Sequence, residues 1–114
     1  MKLYGLKNCD TCKKALKALE AAGTDVDFVD VRAEGVPEAN LMAWIEAHGV
    51  DLLVNTRSTT WRGLDEAARA GVSSPDGALA LLQKHPTLMK RPVIVDGVAS
   101  HVGWTKAVQG ALLG

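Results

Sequence analysis

Tyr4-Gly5-Leu6-Lys7-Asn8-Cys9-Asp10-Thr11-Cys12-Lys13-Lys14-Ala15 carries both cysteines of the chain. An alternating apolar run from Met1 to Leu6 precedes them. Beyond them Ala15, Leu16, Leu19 and Ala22 recur at steps of three and four, the spacing of one buried helix face. The pair therefore falls where a short strand ends and a helix begins. The amides of a first helical turn have no partner inside the helix, and the helix dipole leaves that end partly positive. A thiolate placed there is stabilised, its pKa falls, and it becomes a usable nucleophile near neutral pH.

Working outward, Lys2 to Leu6 reads as the first strand and Asp10 to Ala22 as the first helix, with Gly23 as its stop. Val26, Phe28, Val29 and Val31 form a second strand rich in β-branched residues, which completes a βαβ unit. Pro37 stands at a first helical position, Leu41, Met42, Trp44 and Ile45 follow, and Gly49 ends that run. Val50 to Val54 fits a last helical turn or a strand, and periodicity does not decide between them. Asn55 to Thr60 is a polar junction full of capping residues. Trp61 to Ala70 is expected to be one helix closed by Gly71, and Ser74-Pro75-Asp76 opens another. Val93 to Val95 is a strand, Asp96-Gly97 a two-residue hairpin signal, and Val98 to Val102 the returning strand. Gly103 to Leu113 closes the chain as an amphipathic helix.

One hundred and fourteen residues is the size of one domain. The 47% hydrophobic share supports a core without disulfide staples. The 13 basic residues are balanced by 13 acidic ones, so the chain lacks the electrostatic footprint of a direct nucleic-acid binder. No apolar stretch approaches the roughly 20 residues that span a bilayer, and the N-terminus does not read as a signal peptide. A cytoplasmic, reducing compartment is expected, with no membrane association. Two cysteines in that setting are more readily catalytic or metal-binding than a structural bridge. A single Cys-x-x-Cys pair supplies half a tetrahedral zinc set, and His48, His85 and His101 would have to converge to complete it. No metal site is expected.

The βαβ start, the Cys-x-x-Cys at its first strand-to-helix turn and the proline opening the third strand resemble thioredoxin-like proteins. Three blocks narrow the resemblance: Asn8 to Ala15, Asn55 to Leu64, and His85 to Val95. Together they resemble the arsenate reductase-related (ArsC/Spx/YffB) family, nearest to its YffB-like group, over essentially the whole chain. The fold implied is α/β and thioredoxin-like: a four-stranded mixed sheet with flanking helices and an all-helical insertion between a βαβ half and a ββα half. One domain over 1–114 is expected, with 1–35 and 89–114 as the thioredoxin-like core and 36–88 as the insertion.

The resemblance places the family's catalytic cysteine on Cys9 and its arginine–proline pair on Arg91 and Pro92, with Pro92 expected to be cis. The arsenate reductases hold their oxyanion with further arginines. Arg57 and Arg62 lie near one such position, and Trp104 falls where another is expected. Cys12, absent from those enzymes, matches the redox pair of Spx-type proteins.

Several residues carry two readings each. Cys9 attacks, helped by helix amides, Arg91 and Lys13, and the less exposed Cys12 resolves; alternatively both are ordinary core thiols. Asn8 and Thr11 donate hydrogen bonds to a thiolate or a glutathione carboxylate, or they cap the first helix. Arg57 and Arg62 contact substrate or sit on the surface. Trp44, Trp61 and Trp104 pack or stack on a ligand. The implied activity is a glutathione-dependent thiol–disulfide oxidoreductase, using Cys9 as nucleophile and Cys12 or glutathione as resolving thiol. Its site is Cys9, Cys12 and Arg91, with Asn8, Thr11, Lys13, Arg57, Arg62 and Pro92 around the substrate. Arsenate reduction and Spx-like redox regulation through RNA polymerase are the alternatives. The expected partners are glutathione or glutaredoxin/thioredoxin and a small oxidised thiol or oxyanion, acting on a monomer with no bound cofactor.

Overall fold

The computed structural model describes residues 1–113. Its elements run β1 (Lys2–Gly5), α1 (Asp10–Ala21), β2 (Asp27–Asp30), α2 (Val31–Glu34), α3 (Glu38–His48), α4 (Val50–Leu53), α5 (Thr59–Arg62), α6 (Glu66–Ala70), α7 (Pro75–Lys84), β3 (Val93–Asp96), β4 (Ala99–Val102) and α8 (Lys106–Leu113), with short 3-10 turns at Gly71–Ser73 and Pro86–Leu88. The chain divides into two compact units, residues 1–34 with the stretch from 91 onward, and residues 35–90. Among the described residues no helix is long and apolar enough to cross a membrane.

The first unit holds one four-stranded mixed sheet in the order β2-β1-β3-β4. β1 runs parallel to β2, and β3 runs antiparallel to both β1 and β4. The register aligns Leu3 with Phe28 on one side and with Ile94 on the other. Successive side chains of a strand alternate faces, so these three residues share one face. Helix α1 meets that face through Cys12, Ala15 and Leu19, which with Leu3, Ile94 and Val108 form a buried cluster. Leu16, Phe28, Trp104 and Cys9 pack partly buried around it. At the end of α1 the Thr24 amide bonds the Leu19 carbonyl and the Gly23 amide bonds the Glu20 carbonyl, each at 3.0 Å, the Schellman pattern that satisfies last-turn carbonyls.

Several boundaries in this unit differ from those the residues alone indicate, three of them for a visible local reason. Val31 opens α2 instead of closing β2, because Asp30 Oδ1 accepts the Arg32 and Ala33 amides at 2.9 and 3.2 Å and starts a helical turn. The hairpin loop is Gly97-Val98, not Asp96-Gly97, since Asp96 pairs with Ala99 inside the ladder. Gly97 takes φ +62° while Val98 does not enter the left-handed region, which is the dihedral pattern of a II′ turn with glycine first. The last helix begins at Lys106 rather than Gly103, because Thr105 Oγ1 accepts the Val108 amide at 3.2 Å and fixes the start there.

The second unit is mainly helical, but not entirely. Val54 pairs with Met89 as an isolated antiparallel bridge. It is flanked by Asn55 N–H to Leu88 O at 2.9 Å and Lys90 N–H to Leu53 O at 2.7 Å. The ambiguous Val50 to Val54 stretch is thus both things at once, four helical residues and one extended one. The expected Trp61–Ala70 helix is two short helices. Gly63 ends α5, and Asp65 caps α6 by accepting the Ala68 amide at 2.8 Å; an N-cap aspartate has non-helical backbone, so it interrupts a continuous helix. Arg69 then ties the two pieces together. Its guanidinium lies 5.6 Å from the Trp61 ring centroid and donates to the carbonyls of Trp61 and Arg62 at 3.3 and 3.2 Å.

Candidate active site

Cys9 is the N-cap residue of α1, with extended backbone at φ −91° and ψ 120°. Its amide donates to the Leu6 carbonyl at 3.2 Å and its carbonyl accepts from the Lys13 amide at 3.0 Å. The residue is therefore held on both sides by backbone, at the end of β1 and within the first turn of α1. Asp10 follows, an acid in the first turn, where the dipole favours negative charge. The Cys9 side chain makes no formal capping hydrogen bond. It nonetheless lies close enough to the Cys12 amide and thiol for both to favour its ionised form. Neither Asn8 nor Thr11 caps this helix: Asn8 is an exposed turn residue and Thr11 sits inside the first turn. The capping alternative for both residues is thereby overturned.

Cys9 is half-buried, and that burial opposes its charge. The Cys12 amide, the Cys12 thiol and the Arg91 guanidinium outweigh the burial, so the net direction is below the ordinary thiol value. The positive charge beside Cys9 comes from Arg91, while Lys13 is exposed on the first turn of α1.

Cys12 is fully buried in the α1–sheet cluster. Burial pushes its thiol up to about 12, and the neighbouring Cys9 adds to the rise, while the Leu6 amide and Arg91 act in the opposite direction. Gly5 makes this depth possible. A β-carbon at residue 5 would stand 2.5 Å from Cys12 Sγ, 3.2 Å from its Cβ and 3.4 Å from a Leu3 methyl. No real atom tolerates the first of these contacts, so the sulfur occupies space that only glycine leaves open. Gly5 was not among the residues singled out from sequence; a glycine inside a strand pattern, which marks close approach by another group, was the available signal.

Arg91 and Pro92 enter the site from the start of β3. The bond between them is cis, in line with the sequence expectation. Pro92 is buried, and its carbonyl accepts the Gly103 amide at 2.7 Å, which anchors this turn to the end of β4. Arg91 is half-buried with its Nε inside the protein. Trp104 packs partly buried against the same cluster as Cys9, and its carbonyl accepts from Gln109 at 3.2 Å, so it acts as packing.

Cys9, Cys12, Arg91 and Pro92 thus come together within the first unit. Arg57 and Arg62 lie in the second. Both are exposed; the Arg57 amide donates to Asn55 Oδ1 at 3.0 Å, and Arg62 ends α5 with its carbonyl taken by Arg69.

The ArsC family model matches residues 4–111 of this chain. An uncharacterized protein of Haemophilus influenzae is 41% identical over 105 residues, covering 91% of this chain and 90% of that protein. The global transcriptional regulator Spx of Bacillus subtilis is 28% identical over 109 residues, covering 91% of this chain and 79% of Spx. Among solved structures, a YffB protein superposes with a TM-score of 0.91 at 36% identity, covering 99% of this chain and 98% of the other. An arsenate reductase (ArsC) related protein from Brucella melitensis gives 0.73 at 35% identity, with 96% and 91% coverage. These neighbours carry the ArsC type of thioredoxin-like fold.

Proposed function

Since this chain belongs to the ArsC family, we propose that it is a thiol–disulfide oxidoreductase, with Cys9 as nucleophile and glutathione as the external thiol. One observation carries the reading: two thiols one helical turn apart are driven in opposite directions, Cys9 towards the thiolate and Cys12 towards the neutral form. The thiolate is the attacking species in disulfide exchange.

In the first step the Cys9 thiolate attacks one sulfur of a substrate disulfide. The substrate S–S bond breaks, a Cys9 mixed disulfide forms, and one substrate thiolate leaves. This removes the negative charge from Cys9, and with it part of what held Cys12 neutral. Cys12 then loses its proton to the departing thiolate or to water and attacks the Cys9 sulfur. The second substrate thiol is released and a Cys9–Cys12 disulfide remains, which two equivalents of glutathione reduce. Glutathione can also attack the mixed disulfide directly. Arg91 holds the thiolate and then an anionic group of the substrate, and Pro92 shapes the wall beside them.

The test is to trap the intermediate. Cys12→Ser treated with glutathione disulfide should accumulate one glutathione adduct on Cys9, read by intact mass and peptide mapping. Glutathione on any other residue, or no adduct at all, would overturn the assignment.

The Spx relative supports a second reading, a redox-switched regulator in which the same cysteine pair controls binding to RNA polymerase. Capture of the polymerase α subunit by the oxidised but not the reduced chain would favour it over the enzyme. Arsenate reduction is the third reading. Turnover of arsenate with glutathione and glutaredoxin would establish it, and none is expected, given Trp104 where the resemblance calls for an arginine.

A further inference from the structure

Along the turn that carries Cys9 the first unit has a cleft of about 290 Å³ lined by Leu6, Lys7, Lys13, Leu16 and Phe28. Leu6 is buried, Leu16 and Phe28 are half-buried, and both lysines are exposed. The walls are therefore apolar and the rim is cationic. Two of the lining residues are the backbone partners of Cys9, Leu6 through its carbonyl and Lys13 through its amide, so the cleft runs along the strand-to-helix turn that carries Cys9. Lys7 and Lys13 approach from the two ends of the Cys9 turn, one from the loop before α1 and the other from its first turn.

An apolar cavity of roughly 150 Å³ is enough for a benzene ring. This cleft has room for one aromatic or branched aliphatic group with a substituent. Two exposed lysines among the lining residues favour negative charge at its mouth. Glutathione has no apolar side chain to fill such a space. We propose that the cleft receives the apolar, carboxylate-bearing arm of the disulfide that Cys9 opens, leaving glutathione as the reductant. The inference rests on the oxidoreductase reading for its chemistry and on the cleft alone for its selectivity. The arm seats between Leu6, Leu16 and Phe28 with its carboxylate at Lys7 and Lys13, which presents the adjoining sulfur to Cys9. Attack then breaks the S–S bond, joins Cys9 to one sulfur and expels the other as a thiolate.

Two measurements on the full chain test this. The first is the ratio of rate constants for an aromatic dicarboxylate disulfide, 5,5′-dithiobis(2-nitrobenzoate), and a small neutral one, 2-hydroxyethyl disulfide. Phe28→Ser should lower this ratio by about tenfold, the equivalent of losing one buried aromatic contact. Lys7→Gln with Lys13→Gln should lower it severalfold, and these exposed substitutions keep the test open should Phe28→Ser fail to fold. The second is a titration of Cys9→Ser with 4-nitrobenzoate, followed by amide NMR shifts, which needs no thiol chemistry. Shifts are expected at the five cleft residues and should weaken in the lysine variant. Disulfide exchange with an unchanged ratio and no shifts would sink the cleft while leaving the oxidoreductase standing. Shifts at the cleft without any disulfide exchange would do the reverse.

Discussion

The head of α1 and the layer one turn beneath it hold the same functional group in two opposite conditions. At the head, Cys9 is half-buried, tied by backbone to Leu6 and Lys13, and kept below the ordinary thiol pKa by the Cys12 amide and thiol and the Arg91 guanidinium despite its burial. One turn down, Cys12 is wholly enclosed beside Gly5 and pushed up to about 12. Side-chain identity contributes nothing to this contrast. It comes from which groups surround each sulfur, the Arg91 guanidinium among them, and from the sign each sulfur imposes on the other. The two thiols are thereby set in opposite directions by their surroundings.

The largest effect should come from removing the outer sulfur. Cys9→Ser is expected to lower the rate of disulfide exchange by on the order of a thousandfold or more, whereas Cys12→Ser should keep the first step and lose resolution; stopped-flow kinetics with a chromogenic disulfide separates the two. Equal losses in both variants would erase the contrast between the layers.

Next comes the charge at the head of the helix. Arg91→Ala should raise the Cys9 pKa, moving the pH profile of its alkylation to the alkaline side and slowing the reaction at pH 7 by up to about tenfold. A profile that stays in place would mean that the Cys12 amide and thiol set the thiolate without Arg91.

Gly5→Ala probes the lower layer. The added methyl displaces Cys12 Sγ, and overpacking of this kind costs roughly 1–3 kcal/mol. A lower midpoint in urea is expected, together with a second thiol open to iodoacetamide in the native protein. Wild type should take up one label, at Cys9.

The smallest effect is in the pH dependence of stability. The fold keeps Cys12 neutral, so this group is silent below its ordinary value of 9.0 and costs stability as pH rises from there towards 12, where the unfolded chain ionises first. Cys9 has the opposite sign: its contribution is present above its unfolded pKa and fades as pH falls through the lowered folded one. Urea midpoints at pH 7, 9 and 10.5 should therefore decline more steeply in wild type than in Cys12→Ala. Parallel curves would contradict the enclosure of Cys12.

Much of the first unit could be read from residues because its signals are local. The apolar alternation before Cys9 and the helical spacing after it place the cysteine at the strand-to-helix turn. The run from Arg91 to Val102 places two strands and a tight hairpin. What escaped reading was decided by competition between neighbours. Both Asp96-Gly97 and Gly97-Val98 make a permissible turn, and the ladder pairing of Asp96 with Ala99 selects the second. Trp61 to Ala70 has enough helix formers for a single helix, but the Asp65 carboxylate captures the Ala68 amide and starts a new one. Gly5 carried a signal of close approach, a glycine inside a strand pattern, but not the identity of its neighbour. Its importance lies in a contact with a side chain on a different element, and no periodicity records which sulfur will lie over a strand glycine. The cleft along the Cys9 turn was likewise illegible, since Phe28 joins Leu6 and Leu16 only through the parallel pairing of β1 with β2.

The missing β-carbon at residue 5 has one more effect. Because the inner sulfur nests against bare strand backbone, a peroxide or heavy-metal ion diffusing in from solvent encounters a single accessible thiol, the half-buried Cys9. Oxidation and metal binding are then expected at Cys9 first, and Cys12 is expected to outlast them for as long as the sheet beside it stays closed.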